Sequence, residues 1–177
     1  MAVHNIDEII WLTGARPVVV KGLGSRLHNY KISPVAEDLD DAFLQMGFDG
    51  DLSAQVQVSR NHVAGYRNET WIYGDKGLIH VGHFQGKPLE VGFEAYGRGE
   101  VIERRTFALR DHGRPVPVFI DRFGPAYKTE IAHFIDQCRR GQPFAVDHNH
   151  GLQALVVAEA GNQALQLQEE GVRVEYS

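Results

Sequence analysis

Over residues 18–108 the sequence is cut at short intervals by turn chemistry, so that a sheet is the only regular structure it can build there. The runs 18–23, 42–48, 52–58, 70–73, 78–81, 89–96 and 100–108 are four to nine residues long and rich in branched or aromatic side chains. Asp49-Gly50 and Asp75-Lys76-Gly77 each sit between two such runs. Glycine's access to positive φ suits a tight hairpin at both joints, so the flanking strands are expected to be antiparallel neighbours. Leu52, Ala54, Val56 and Val58 alternate with Ser53, Gln55, Gln57 and Ser59, which gives one apolar face and one that is polar but uncharged. A face of Ser and Gln can stay wet or be covered by another subunit.

Helical spacing brackets this region. Ile6, Ile9, Ile10 and Leu12 predict a helix over 4–12 that stops at Gly14 and Pro17. A second is expected over 123–140, with Tyr127, Ile131, Phe134, Ile135 and Cys138 on one stripe and Arg139-Arg140-Gly141 at its end. A third is expected over 151–170, with Leu152, Leu155, Val156, Ala160, Ala164 and Leu167 facing inward, before a last short strand over 172–176. The expected fold is therefore α+β: an open, mainly antiparallel sheet of six or seven strands with helices on one face, in a single domain over 1–177.

Composition excludes several classes of function. With 43% hydrophobic and 23% charged residues the chain is globular, and 177 residues can bury roughly 70% of their unfolded surface. No apolar run approaches the roughly 20 residues that span a bilayer, and the start carries no basic segment leading into an apolar one. A net charge of -5, with only short basic clusters, offers no general attraction to nucleic acid. The single cysteine, Cys138, excludes an internal disulfide framework and a cysteine-ligated zinc site, and fits a reducing compartment, the cytoplasm.

Most candidate sites have an ordinary explanation. Gly22-Leu23-Gly24-Ser25-Arg26-Leu27 follows an apolar strand, but the third glycine of a dinucleotide turn is missing and Ser33-Pro34 arrives too soon for the helix that would carry a pyrophosphate. It reads as a strand, and no cofactor site is expected in this chain. His80 and His83 point to opposite faces of a strand, and His148-Asn149-His150 lies in a polar connection, so no metal is expected and surface histidines are the default. Cys138 falls on an apolar helical stripe and reads as a core thiol. His4 and Asp7 differ in kind: three apart on a helix, they share a face at its amino end. A carboxylate beside an imidazole can hold its tautomer for proton transfer at an alcohol or ketone, although such a pair is more often a helix-capping cluster.

The segment from Val3 to Gly14, with its His4-Asn5-Ile6-Asp7, resembles the His-x-x-Asp helix that opens the C-terminal domain of the Gfo/Idh/MocA oxidoreductases. That is the family of glucose-fructose oxidoreductase and inositol 2-dehydrogenase. Further matches follow in order: Asp40-Asp41-Ala42 into a strand, Ser59-Arg60, Gly65-Tyr66, Tyr73-Gly74-Asp75-Lys76-Gly77, Phe123-Gly124-Pro125-Ala126-Tyr127 with Glu130 and Phe134, and Gly151-Leu152-Gln153-Ala154-Leu155 with Ala158-Glu159-Ala160. Each motif is short and degenerate, but their order covers nearly the whole chain.

The resemblance implies the second half of a two-domain enzyme, with a glyceraldehyde-3-phosphate dehydrogenase-like C-terminal fold and without the N-terminal Rossmann domain that binds NAD or NADP. It implies that His4 is the catalytic acid/base, that Asp7 reaches substrate hydroxyls and that Tyr66 lies near the substrate, a sugar or polyol. The aspartate expected four residues before His4 would precede Met1, as though an internal methionine had been taken as the start. Arg67 and Glu69 stand where inositol-type members tend to carry charges of the opposite order. The chain alone is expected to be inactive and to bind no cofactor, and to form a homodimer or higher oligomer through its open sheet face. The competing class is a stand-alone dimeric sugar-binding or assembly module that has lost catalysis.

Overall fold

The computed structural model describes residues 2–26, 31–33, 36–37, 39–62, 66–83, 87, 89–109, 111, 113, 118–167 and 171–176. Leu27, Pro34, Gly65 and Glu170, which belong to the sequence motifs and expected elements above, lie outside the described residues. The chain divides into two compact units, Met1–Asn61 with Phe144–Ser177, and His62–Pro143.

The first unit is a four-stranded antiparallel sheet under two helices. Its strands are β1 (Pro17–Ser25), β4 (Asp41–Phe48), β5 (Ser53–Ser59) and β10 (Val172–Arg173), in the order β10-β1-β4-β5; β2 (Lys31–Ser33) and β3 (Ala36–Glu37) form a separate small hairpin. The Asp49-Gly50 joint turns β4 into β5 with Gly50 at φ 87°, as the sequence predicts. On one face of the sheet Val20, Ala42, Leu44, Met46 and Val56 are buried. On the other, Gln45 lies opposite Gln55 and Phe43 opposite Gln57, all exposed.

Helices α1 (Val3–Thr13) and α3 (His148–Leu167) supply the roof of that core. α1 buries Ile6 completely and half-buries Ile9 and Ile10, and it ends as its sequence demands: Gly14 takes the left-handed conformation at φ 65° and its N–H donates to the Ile10 carbonyl at 2.9 Å. α3 meets the core through small residues. Ala154, Val157, Ala160, Gly161 and Ala164 are buried, whereas Leu152, Leu155 and Leu167, expected inward, are exposed. The reason is closeness. A Cβ on Gly161 would stand 3.1 Å from Leu44, and one on Gly22 of β1 would stand 3.0 Å from Leu165, so glycine at 161 lets Leu44 reach the helix and glycine at 22 leaves room for Leu165.

The second unit holds β6 (Thr70–Gly74), β7 (Gly77–His83), β8 (Glu90–Tyr96) and β9 (Val101–Ala108) in sequential antiparallel order, with α2 (Phe119–Arg140). The expected strands are thus present, but as two four-stranded sheets in place of one of six or seven. Alternation along a strand reveals its faces, not its partners. α2 also begins four residues before the predicted Phe123. The buried Asp121 carboxylate accepts the Val118 N–H at 2.8 Å and so starts the helix there. Its stripe is not interior: Tyr127, Ile131, Phe134 and Ile135 are exposed, and Cys138 is an exposed thiol, not a core one. Among the described residues no helix is long and apolar enough to cross a membrane.

Candidate functional site

His4 and Asp7 are placed by α1. Because Ile6, Ile9 and Ile10 turn that helix toward its unit's core, the side at His4 is left open. His4 is exposed in the first turn and Asp7 is half-buried one turn later, on the same side of the helix. Neither side chain makes a hydrogen bond or ion pair with another described residue, and the pair does not cap the helix, whose N-cap Ala2 has no side-chain oxygen to offer. An imidazole and a carboxylate in this setting are free to meet a ligand's hydroxyl groups, one by exchanging a proton and the other by accepting hydrogen bonds.

Tyr66 belongs to the second unit. Its ring meets the rings of Phe119 and Phe123 edge-on, at centroid distances of 6.3 and 5.9 Å. It remains 40% exposed, and its hydroxyl has no hydrogen-bond partner among the described residues. Next to it, Arg67 Nε donates to Glu69 Oε1 at 2.6 Å, so the two residues whose charge order looked exchanged pair with each other.

A cross-strand ladder on the second sheet has no counterpart in the spacing of the sequence. Trp71, His80, Glu94 and Arg104 stand opposite one another on four successive strands. The Trp71 ring stacks on His80 at 3.8 Å, Arg104 Nε donates to Glu94 Oε1 at 2.6 Å, and the Tyr96 hydroxyl donates to Glu94 Oε2 at 2.8 Å. The Tyr96 hydrogen bond holds the Glu94 carboxyl below its ordinary range; burial opposes this and Arg104 adds to it. His80 is buried here, not the surface histidine that its lone position suggests. Trp71 and Tyr73 stack on each other and are 48% and 75% exposed, which gives this face a wide aromatic edge. The register puts Phe93 on the opposite face, and Gln55 and Gln57 belong to the other sheet.

No loop in the described chain fits a dinucleotide. Gly22 and Gly24 lie inside β1, where Leu165 and Leu39 occupy the space their missing side chains leave. Those glycines serve packing, and the pyrophosphate of NAD has no cradle there. The described residues also contain no group of three or more His, Cys, Asp or Glu side chains that could hold a metal.

Comparison with known proteins gives the family. Residues 1–174 match the family model described as the oxidoreductase family, C-terminal alpha/beta domain. The chain is 25% identical over 166 residues to the myo-inositol 2-dehydrogenase of Thermotoga maritima, covering 94% of this chain and 46% of that protein. It is 26% identical over 147 residues to the scyllo-inositol 2-dehydrogenase (NAD(+)) of Bacillus subtilis, covering 82% of this chain and 39% of that protein. The crystal structure of myo-inositol 2-dehydrogenase from Lactobacillus plantarum superposes with a TM-score of 0.67 at 22% identity, over 99% of this chain and 47% of that one, a likeness of fold. The chain spans less than half the length of these relatives. It belongs to the Gfo/Idh/MocA oxidoreductase family and corresponds to the C-terminal alpha/beta domain.

Proposed function

We propose that this member of the family is the substrate-binding and oligomerisation half of an NAD(P)-dependent dehydrogenase acting on a secondary alcohol of a sugar or polyol of the inositol kind. The observation that carries the reading is the match of residues 1–174 to a C-terminal domain whose opening helix here leaves His4 and Asp7 unpaired and open on one side. The inositol dehydrogenases among the relatives support the substrate class. Oxidation of a secondary alcohol removes a hydride from carbon and a proton from oxygen. This chain's share is the proton: His4 Nδ1 or Nε2 takes it from the reacting hydroxyl and returns it in the reverse direction. Asp7 accepts hydrogen bonds from the hydroxyl groups beside the reacting carbon, and the family resemblance makes Tyr66 a substrate contact through its own hydroxyl.

The cofactor, NAD or NADP, belongs on this reading to a domain outside the chain, since the described residues offer its phosphates no loop. Titration of the chain with NADH, followed by nucleotide fluorescence, tests this. No saturable binding is expected at micromolar concentration, and micromolar affinity would show the architecture to be misread. An in-frame dinucleotide-binding region in the DNA upstream of Met1 would supply the other half, whereas a stop codon there would favour a stand-alone assembly module.

The oligomer belongs to the same proposal. The face bearing Trp71, Tyr73 and Tyr96 is too aromatic to be left to water, and a second copy is its natural cover. A twofold dimer through that face would bury at least about 1,200 Å² in total.

A further inference from the structure

We infer that Arg122 is a positioning residue for Tyr66, acting from one face of the first turns of α2; the inference rests on the reading of Tyr66 as a substrate contact. Arg67 and Glu69 hydrogen-bond to each other. α2 instead holds the residues that alternate with them, the Tyr66 ring and the Asn68 backbone. Arg122 Nη1 donates to the Asn68 carbonyl oxygen. Phe119 and Phe123, three residues before and one after Arg122, close edge-on against the Tyr66 ring. Phe119, Arg122 and Phe123 have the i, i+3, i+4 spacing of a single helical face, so one rigid element fixes both the backbone and the ring.

Neither contact would be enough alone. Two edge-on phenylalanines restrain where the ring lies but let the backbone behind it shift, since such contacts are weakly directional. A guanidinium bonded to a carbonyl two residues on fixes the backbone, and its charge makes this hydrogen bond stronger than a neutral one. The guanidinium also rests over the Phe123 ring, 5.1 Å from its centroid, so its own orientation is set by one of the rings that hold Tyr66. Asp121, buried beside it, anchors the start of α2 through Val118. The outcome is a Tyr66 hydroxyl held outward and unspent, as recognition of a ligand hydroxyl requires.

The test has two arms. In this chain, Arg122→Ala should speed amide hydrogen exchange at Asn68 and Glu69 by about tenfold or more while leaving β7 to β9 unchanged, and Arg122→Lys, which keeps a donor, should restore part of the protection. Unchanged exchange would overturn the inference. In the complete two-domain enzyme, Arg122→Ala should raise the KM for polyol about tenfold with kcat changed less than about twofold, as should Tyr66→Phe, and the double variant should be no worse than either alone. Additive losses would mean that Arg122 acts on something other than Tyr66 and would overturn this inference alone. A Tyr66→Phe enzyme with unchanged KM would overturn the reading of Tyr66 as well, and the inference with it. If Arg122→Ala does not fold, the same cycle with Arg122→Lys decides.

Discussion

The two units of this chain solve the same architectural problem in opposite ways. In Met1–Asn61 with Phe144–Ser177, a sheet face of Val20, Leu44, Met46 and Val56 is sealed by Ile6 from α1 and by Ala154, Val157 and Ala160 from α3. In His62–Pro143, Val91 is the only buried hydrophobic residue among those described, and the other buried side chains are His80, Glu94 and Asp121. The first unit is organised by a dry core and the second by rings and charge-assisted hydrogen bonds, while both leave large apolar side chains more than half exposed, among them Trp11 and Leu155 in the first and Tyr73 and Ile131 in the second. A dry core stabilises a unit by burial, whereas a unit held by a polar ladder with one buried hydrophobic residue among those described draws little on it. The unit carrying His4 and Asp7 thus has the apolar core, and the unit carrying Tyr66 is the one that the proposed dimer would cover.

The largest effect expected from that contrast is on mass in solution. Light scattering at micromolar concentration should give twice 19.8 kDa, and Tyr73→Glu, which puts a charge in the aromatic edge of the second sheet, should return the chain to 19.8 kDa. A stable monomer before any substitution would break the comparison, since the exposed face would then need no cover. The next effect is on stability. Leu44→Ala, at 4% exposure in the first core, should cost about 2–5 kcal/mol in denaturant unfolding, against about 0.5 kcal/mol or less for Ile131→Ala on α2. Equal losses would mean that α2 is packed in solution.

How much of this was legible beforehand follows from what periodicity carries. The hairpin at Asp49-Gly50, the alternating faces of β5 and the ends of α1 are local facts, and glycine placement with period-two spacing was enough to read them. Which strands share a sheet is not local, and neither is the burial of His80, which depends on Trp71 and Glu94 arriving from strands on either side. On α3 the expected inward Ala160 and Ala164 are buried, but the large Leu152, Leu155 and Leu167 are exposed. The decisive quantity is the clearance at Gly22, filled by Leu165, and at Gly161, filled by Leu44, which spacing along one segment does not show. At the candidate site, the open stripe of His4 and Asp7 follows from their spacing on α1 and Tyr66 from resemblance, but the support given to Tyr66 by Arg122 joins residues fifty-four apart and leaves no mark on spacing.

The smallest effect concerns acid. At the start of α3, Asp147 Oδ1 lies 2.9 Å from His150 Nδ1 and accepts the Asn149 N–H at 2.9 Å. His150 first, and these backbone bonds after it, lower the Asp147 carboxyl from 3.8 to about 2. Because the folded value is depressed, the cap contributes its full share above the ordinary carboxylate value and loses it as pH falls toward 2. An NMR titration should place the Asp147 midpoint near 2. His150→Ala should raise it toward the ordinary value, and an unmoved midpoint would remove His150 as the cause. Glu94 in the second unit is shifted in the same direction by Tyr96 and Arg104, so acid should loosen both units from separate points.

The central claim, that the first unit brings the proton-transfer group to a dehydrogenase, is tested most directly by the turnover of the complete enzyme with His4 replaced by alanine. The account predicts that His4→Ala lowers kcat by about a hundredfold or more while the KM for NAD or NADP changes little, because the imidazole acts on the reacting hydroxyl and the nucleotide is held elsewhere. A kcat equal to that of the unaltered enzyme would contradict it.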